Sequence, residues 1–192
     1  ISTDDKNWQL ASASAAEALE NISWSEQQAI VEIVEQIPDD AALYVGSSRP
    51  IRDIEAFVHP RSGVSVFANR GLAGIDGNIS TALGIATTHN ATFAVLGDLA
   101  FLHDITGLIH REEINLRIFV INNDGGGIFS TLPQRGSNGF EQVFGTPHGL
   151  DPAAIAKAMG LDAKVISSVE QLRDEIKKPI SGVSVVVCDV PS

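Results

Sequence analysis

Two runs of the sequence, TFAVLGD at 92–98 and LRIFVINN at 116–123, are apolar at nearly every position until each ends in polar residues. A strand with one solvated face alternates apolar and polar side chains. A run apolar on both faces therefore belongs inside a sheet that is covered from both sides. Shorter runs of similar character recur at AALYVG, VSVFAN, AKVI and GVSVVVCDV. Helix-like segments lie between them. SEQQAIVEIVEQIP places Ser25 and Gln28 in capping-box spacing, sets Ile30, Ile33, Val34 and Ile37 on one face, and closes at Pro38. RPIRDIEAFV, DGNISTALGIATTHN, AFLHDITGLIHREE, DPAAIAKAMG and VEQLRDEIKK read as further helices. Strands alternating with helices predict an α/β fold: a three-layer α/β/α domain on a six-stranded, mainly parallel sheet with right-handed crossovers. One domain is expected over 23–192. It follows a lead-in at 1–22 that is either a linker or a helix docked on something outside the chain.

Charge narrows the partners. A net charge of −11 argues against nucleic acid and anionic membranes, whose phosphates demand clustered Lys and Arg. No apolar run approaches the length of a membrane span, and no signal peptide is evident at the N-terminus. The single Cys188 sits in an apolar run and reads as a small buried residue, and the cytosol is the expected compartment. The chain starts at Ile1 and its one Met is Met159, so a piece of a larger polypeptide is expected.

In an open parallel sheet, ligands bind beyond the carboxyl ends of the strands. Four consecutive strand ends here carry Gly, polar or charged residues: GSSRP, NRGLAGIDG, GDLA and NNDGGGIF. Gly97-Asp98 ends one buried strand and Asn122-Asn123 ends the next, so Asp98 and Asn123 are expected to face one another across the top of the sheet. A carboxylate, a side-chain amide oxygen and a backbone carbonyl from the glycine turn are hard oxygen ligands suited to Mg²⁺. Asp98 also starts a helix, whose first N–H groups, at Leu99 and Ala100, are placed for a phosphate. Gly125, Gly126 and Gly127 allow a close backbone approach. Taken singly, Asp98 reads as a helix N-cap and Asn-Asp-Gly as a turn. Paired on adjacent strands, they read as a magnesium-diphosphate site.

GDLAFLHDITGL…RIFVINNDGGGIF resembles the thiamine-diphosphate signature, a GD pair followed some 25 residues later by NN, with Leu99 where GDG has its second glycine. That resemblance implies Asp98, Asn123 and the Gly125 carbonyl as metal ligands for Mg²⁺ or Mn²⁺, with the cofactor diphosphate against the adjacent backbone. GSSRPIRDIE, NRGLAGIDGNISTALGIA, GDLAFLHD and NNDGGGIFSTLPQ together resemble the 2-succinyl-5-enolpyruvyl-6-hydroxy-3-cyclohexene-1-carboxylate synthases of menaquinone biosynthesis, over about residues 24–190. The resemblance implies the C-terminal, diphosphate-binding domain of a three-domain, homo-oligomeric transferase (dimer or tetramer). Such an enzyme decarboxylates 2-oxoglutarate and adds the succinic-semialdehyde unit to isochorismate. It also implies Arg52 and Arg70 as substrate-carboxylate arginines and Ser48 as a residue lining the cofactor and substrate site. Ile75 matches the apolar support beneath the bent cofactor, and Ile128, Phe129 and Leu132 match walls of the substrate pocket. Helix capping for Ser48, a solvated helix position for Arg52 and plain core for the apolar residues are the competing readings. His59, His89, His103 and His110 show no metal-ligand spacing, and His148 takes no role.

RGSNGFEQVFGTPHG is long enough to be an active-site lid. The family's activating glutamate comes from another domain and has no counterpart here, so the isolated chain is expected to be inactive. Two alternatives stay open. One is the same domain from an acetolactate-synthase-like enzyme or a 2-keto acid decarboxylase; the other is a non-catalytic metal- or nucleotide-binding module. A dehydrogenase-type fold is disfavoured, because no G-x-G-x-x-G follows the first strand.

Overall fold

The computed structural model describes residues 3–20, 22–109 and 113–191. Its strands are β1 (Ala42–Val45), β2 (Ser65–Phe67), β3 (Thr92–Gly97), β4 (Leu116–Asn122), β5 (Asp162–Ile166) and β6 (Val183–Asp189). They form one six-stranded sheet in the order β2-β1-β3-β4-β6-β5, and every pair is parallel. The helices are α1 (Thr3–Glu20), α2 (Glu26–Gln36), α3 (Arg49–Phe57), α4 (Asn78–Ala86), α5 (Asp98–His103), α6 (Pro152–Ala158) and α7 (Val169–Lys177). The three-layer α/β/α fold expected from the alternating runs is the one observed.

Alternation along each strand divides the core in two. Leu43, Val45, Phe93, Val95, Phe119, Ile121, Val186 and Cys188 pack on one face with the apolar stripes of α2 and α7. Tyr44, Ala94, Leu96, Ile118, Val120, Val185 and Val187 pack on the other with α4, Phe101 and α6. Both sets are buried, and each fully buried Leu, Ile or Phe contributes about 1.5–3 kcal/mol of transfer free energy. Cys188 is wholly buried, as expected, and burial pushes its thiol far above the usual range. Buried Arg117 leaves β4 to donate to the carbonyls of Glu175 (2.6 Å), Lys178 (2.9 Å) and Pro179 (3.0 Å), which fastens the end of α7 to the sheet.

Side chains cap helix starts, although Gln28 returns no bond to Ser25 and turns its Nε2 to the Ile22 carbonyl at 3.2 Å, so the expected capping box is half formed. Ser25 accepts from the N–H of Gln28, and Asp151 accepts from Ala153 and Ala154 behind Pro152. One helix differs. The segment expected to run through AFLHDITGLIHREE stops at His103, and a 3-10 turn follows over Ile105–Ile109; residues 110–112, with His110, lie outside the described residues. The break follows from Asp104, whose Oδ2 accepts the N–H of Ile79 at 2.6 Å and so caps α4. The lead-in contains α1, a helix whose Trp8 and Leu10 are exposed. No helix among the described residues is long and apolar enough to cross a membrane.

Candidate functional site

The strand order reverses between β1 and β3: β2 lies on one side of β1 and every later strand on the other. The crevice at the carboxyl ends of β1 and β3 is the switch point at which such sheets hold ligands. The β3–β4 register pairs Gly97 with Ile121, so the two strands end side by side. A cavity of about 260 Å³ opens there. Ser48, Ile75, Gly97, Asp98, Leu99, Ala100, Asn123, Gly125, Gly126, Gly127, Ile128 and Phe129 all line it, with Glu26, Ser47, Arg49 and Pro50. Every position expected to contact cofactor is thus brought to one cavity. Arg52, Arg70 and Leu132 are not among its walls. Arg52 is exposed and returns its Nη1 to the Ser48 carbonyl at 2.7 Å, Arg70 is exposed beyond β2, and Leu132 is exposed at the end of a short 3-10 turn.

Asp98 is buried at the cavity floor. Its Oδ1 accepts the N–H of Leu99 (2.7 Å), and its Oδ2 accepts the N–H of Gly125 (2.8 Å) and Nε2 of His148 (3.2 Å). Burial pushes the Asp98 pKa up, and the bonds from Leu99, Gly125 and His148 oppose that rise. The Leu99 N–H, expected to face a phosphate, is therefore taken by Asp98 itself. Asn123 Oδ1 is buried without a hydrogen-bond partner. An acceptor left that way costs about 1–3 kcal/mol, and a cation would relieve it. The Gly125 carbonyl accepts one bond, from Gly127 at 3.0 Å, and keeps a second lone pair. Among the described residues no group of three or more His, Cys, Asp or Glu side chains is placed to hold a metal ion by itself. A cation here would rest on one carboxylate with amide and backbone oxygens, a donor set that Mg²⁺ accepts. Asp98, Asn123 and Gly125 fit that role.

Two of the four non-glycine residues with positive φ among the described residues lie at or beside these walls, Asp40 and Thr146 being the others. Ser48 has φ 74° and Asp124 φ 61°, in the region that disfavours side chains, while Gly125 stands at φ 140°. The Ser48 side chain makes no cap bond to α3, and its residue lines the cavity instead.

Three polar residues join the site from positions that sequence reasoning passed over. Glu26, read locally as the first residue of a capped helix, lies beside Arg49, with Nε to Oε2 at 3.5 Å. Arg49 also faces Asp53, with Nη2 to Oδ2 at 3.3 Å. Burial raises the pKa of both carboxylates, against the pull of Arg49. The third is His148, which arrives on the long loop expected to act as a lid. That loop lies on the glycine turn: Gly126 donates to the Gly145 carbonyl (2.7 Å), and the N–H groups of His148 and Gly149 donate to Asp124 Oδ1 (3.1 and 2.7 Å). Phe144 sits between Phe129 and Phe140, with centroids 5.4 and 5.8 Å away. A second, wider cavity of about 660 Å³ opens beneath this loop and shares Glu26, Arg49, Asn123 and the three glycines with the first.

Comparison with known proteins gives the family and the fold. Residues 52–190 match the family model described as thiamine pyrophosphate enzyme, C-terminal TPP binding domain. A 2-succinyl-5-enolpyruvyl-6-hydroxy-3-cyclohexene-1-carboxylate synthase from Thermobifida fusca is 47% identical over 145 residues, covering 71% of this chain and 26% of its own. Proteins of the same name from Bacillus cytotoxicus and Lactococcus lactis subsp. cremoris are 45% and 39% identical, over 81% and 91% of this chain. The chain thus spans between 26% and 33% of the length of these relatives. Among solved structures, benzoylformate decarboxylase from Polynucleobacter necessarius superposes with a TM-score of 0.67 at 17% identity, over 86% of this chain and 33% of that one. At that identity the likeness speaks for the fold alone. The chain belongs to the thiamine pyrophosphate enzymes and carries their C-terminal TPP-binding domain.

Proposed function

We propose that this chain is the diphosphate- and metal-binding domain of a cytoplasmic, homo-oligomeric synthase of menaquinone biosynthesis. The enzyme decarboxylates 2-oxoglutarate and adds the succinic-semialdehyde unit to isochorismate. The observation that carries this reading is the meeting of Asp98, Asn123 and Gly125 at the switch-point crevice, in a chain 39–47% identical to relatives named for that product. Thiamine diphosphate supplies the electron sink for decarboxylation and carbon–carbon bond formation. The chain's own residues bind and orient. Asp98, Asn123 and the Gly125 carbonyl hold Mg²⁺ or Mn²⁺, and the glycine turn gives the diphosphate a close approach. Ile75 supports the cofactor, while Ile128 and Phe129, lining the cavity, and Leu132, exposed outside it, wall the substrate. Arg52 and Arg70 take substrate carboxylates, an arrangement supported by the bidentate fit of guanidinium to carboxylate. Ser48, strained at the cavity edge, lines the reacting end.

The test is turnover by this domain within its complete enzyme, supplied with 2-oxoglutarate and isochorismate or with pyruvate alone. Product from the first pair and none from pyruvate is expected, whereas efficient use of pyruvate refutes the substrate assignment. The 192-residue chain by itself is expected to be inactive, and turnover by it would refute that claim.

A further inference from the structure

We propose that His148, carried on the loop that lies on the glycine turn, is a positioning residue for Asp98 and fixes its carboxylate in the orientation a divalent cation requires. The proposal rests on the reading of Asp98, Asn123 and Gly125 as the cation's ligands.

Hydrogen bonding sets the ring's tautomer. The N–H of Leu150 donates to His148 Nδ1 at 3.0 Å, and a ring nitrogen can accept only when it carries no proton. A neutral imidazole then holds its one N–H at Nε2, which lies 3.2 Å from Asp98 Oδ2. The other carboxylate near the ring, Asp124, stands 3.5 Å from Nδ1 and turns Oδ1 to the N–H groups of His148 and Gly149 instead. Both partners are largely shielded from solvent, with side chains 11% and 4% exposed.

The donors divide unevenly over the carboxylate. Oδ2 receives two, from Gly125 and His148, while Oδ1 receives one, from Leu99. Each oxygen has two lone pairs, so the remaining acceptor position is on Oδ1. A carboxylate held on one oxygen by two converging N–H groups cannot swing freely, and it offers the other oxygen as a preset single-point ligand. His148 is 50 positions from Asp98 and reaches it only when the loop is seated on the glycine turn. Loop closure and the geometry of the cation site are thereby one event. Loss of such an outer partner costs about 10–100-fold in metal affinity.

Manganese binding tests this directly, with free Mn²⁺ counted by electron paramagnetic resonance as it is added to the chain. His148→Phe keeps a ring but removes the donor, and His148→Ala removes the donor without adding bulk. Both should weaken Mn²⁺ binding about ten-fold or more. His148→Gln, whose amide N–H lies near the place of Nε2, should lose less than about ten-fold. A merely structural role would lower the metal-free melting temperature of all three variants without separating Gln from Phe and Ala in affinity. Unchanged or tighter Mn²⁺ binding by the Phe and Ala variants overturns the proposal, tighter binding marking His148 as the cation's competitor. No Mn²⁺ binding by the wild type would instead overturn the cation reading of Asp98, Asn123 and Gly125, and the proposal with it.

Discussion

Gly125→Ala tests how firmly the loop is seated on the turn. At φ 140° the residue occupies backbone space that costs an L side chain about 1–3 kcal/mol. A Cβ there would also stand 2.2 Å from the Gly145 carbonyl oxygen and 2.9 Å from that of Thr146. Both obstacles are backbone, so no rotamer change clears them and the loop must retreat. That retreat breaks the 2.7 Å bond from Gly126 to Gly145, worth about 1 kcal/mol net. The two effects together predict a loss of about 2–4 kcal/mol, or about 4–16 °C in melting temperature for a chain of this size. Gly84→Ala is the matched control. It lies within α4, where an added Cβ meets nothing within 4 Å, and should raise stability by about 0.5–1 kcal/mol. Urea denaturation followed by circular dichroism measures both variants. A glutamate-specific protease reports the loop separately, since cleavage after exposed Glu141 should quicken in Gly125→Ala alone. A Gly125→Ala protein as stable as the wild type, cut no faster at Glu141, would show that the loop does not bear on the turn as described.

Two further predictions concern the frame that holds the site. Arg117→Leu strips three carbonyls at the end of α7 of a buried donor and should cost about 3 kcal/mol in urea denaturation; a loss under about 1 kcal/mol would mean that water replaces the guanidinium. Tyr44, the one tyrosine of the chain, donates to Asn78 Oδ1 at 2.7 Å, and burial pushes its hydroxyl up to about 12. The folded state therefore holds this proton more tightly than the unfolded chain, whose tyrosine titrates near 10. The stability that follows is full below pH about 10 and is lost as pH rises through about 12. Absorbance at 295 nm should stay flat until that range, and ionisation near pH 10 in the folded protein would contradict the burial of Tyr44.

Much of the architecture was legible because its signals are local. TFAVLGD and LRIFVINN are apolar on both faces because β3 and β4 are interior strands, and their polar ends mark where the backbone leaves the sheet. The pairing of Asp98 with the Asn123–Gly127 turn was accessible for the same reason: adjacent parallel strands of matched length end together. Contacts across long sequence distances left no such trace. Glu26 looks like a helix's first residue, Arg49 like its neighbour Arg52, and His148 like any loop histidine, because nothing near them in sequence names their partners. Asp104 shows the converse: it lies within a helical pattern, yet its side chain is drawn off to cap α4, and the helix ends there.

The reversal of strand order between β1 and β3 has a consequence for how a ligand's binding energy is felt. The cavity straddles the one junction joining the β2-β1 pair to the rest of the sheet, with Ser48 on one bank and Asp98 and Asn123 on the other. A molecule bound there is lost whenever the junction parts, so it penalises every opening that separates the two banks. It imposes no such penalty on fraying at the sheet's margins, where β2 has exposed Ser65 and Val66 and β5 alternates exposed with buried residues. Amide hydrogens of β1, β3 and β4 should therefore exchange more slowly as ligand is added, while those of β2 and β5 keep their own pace. The site acts as a clasp on the middle of the sheet and leaves its edges free.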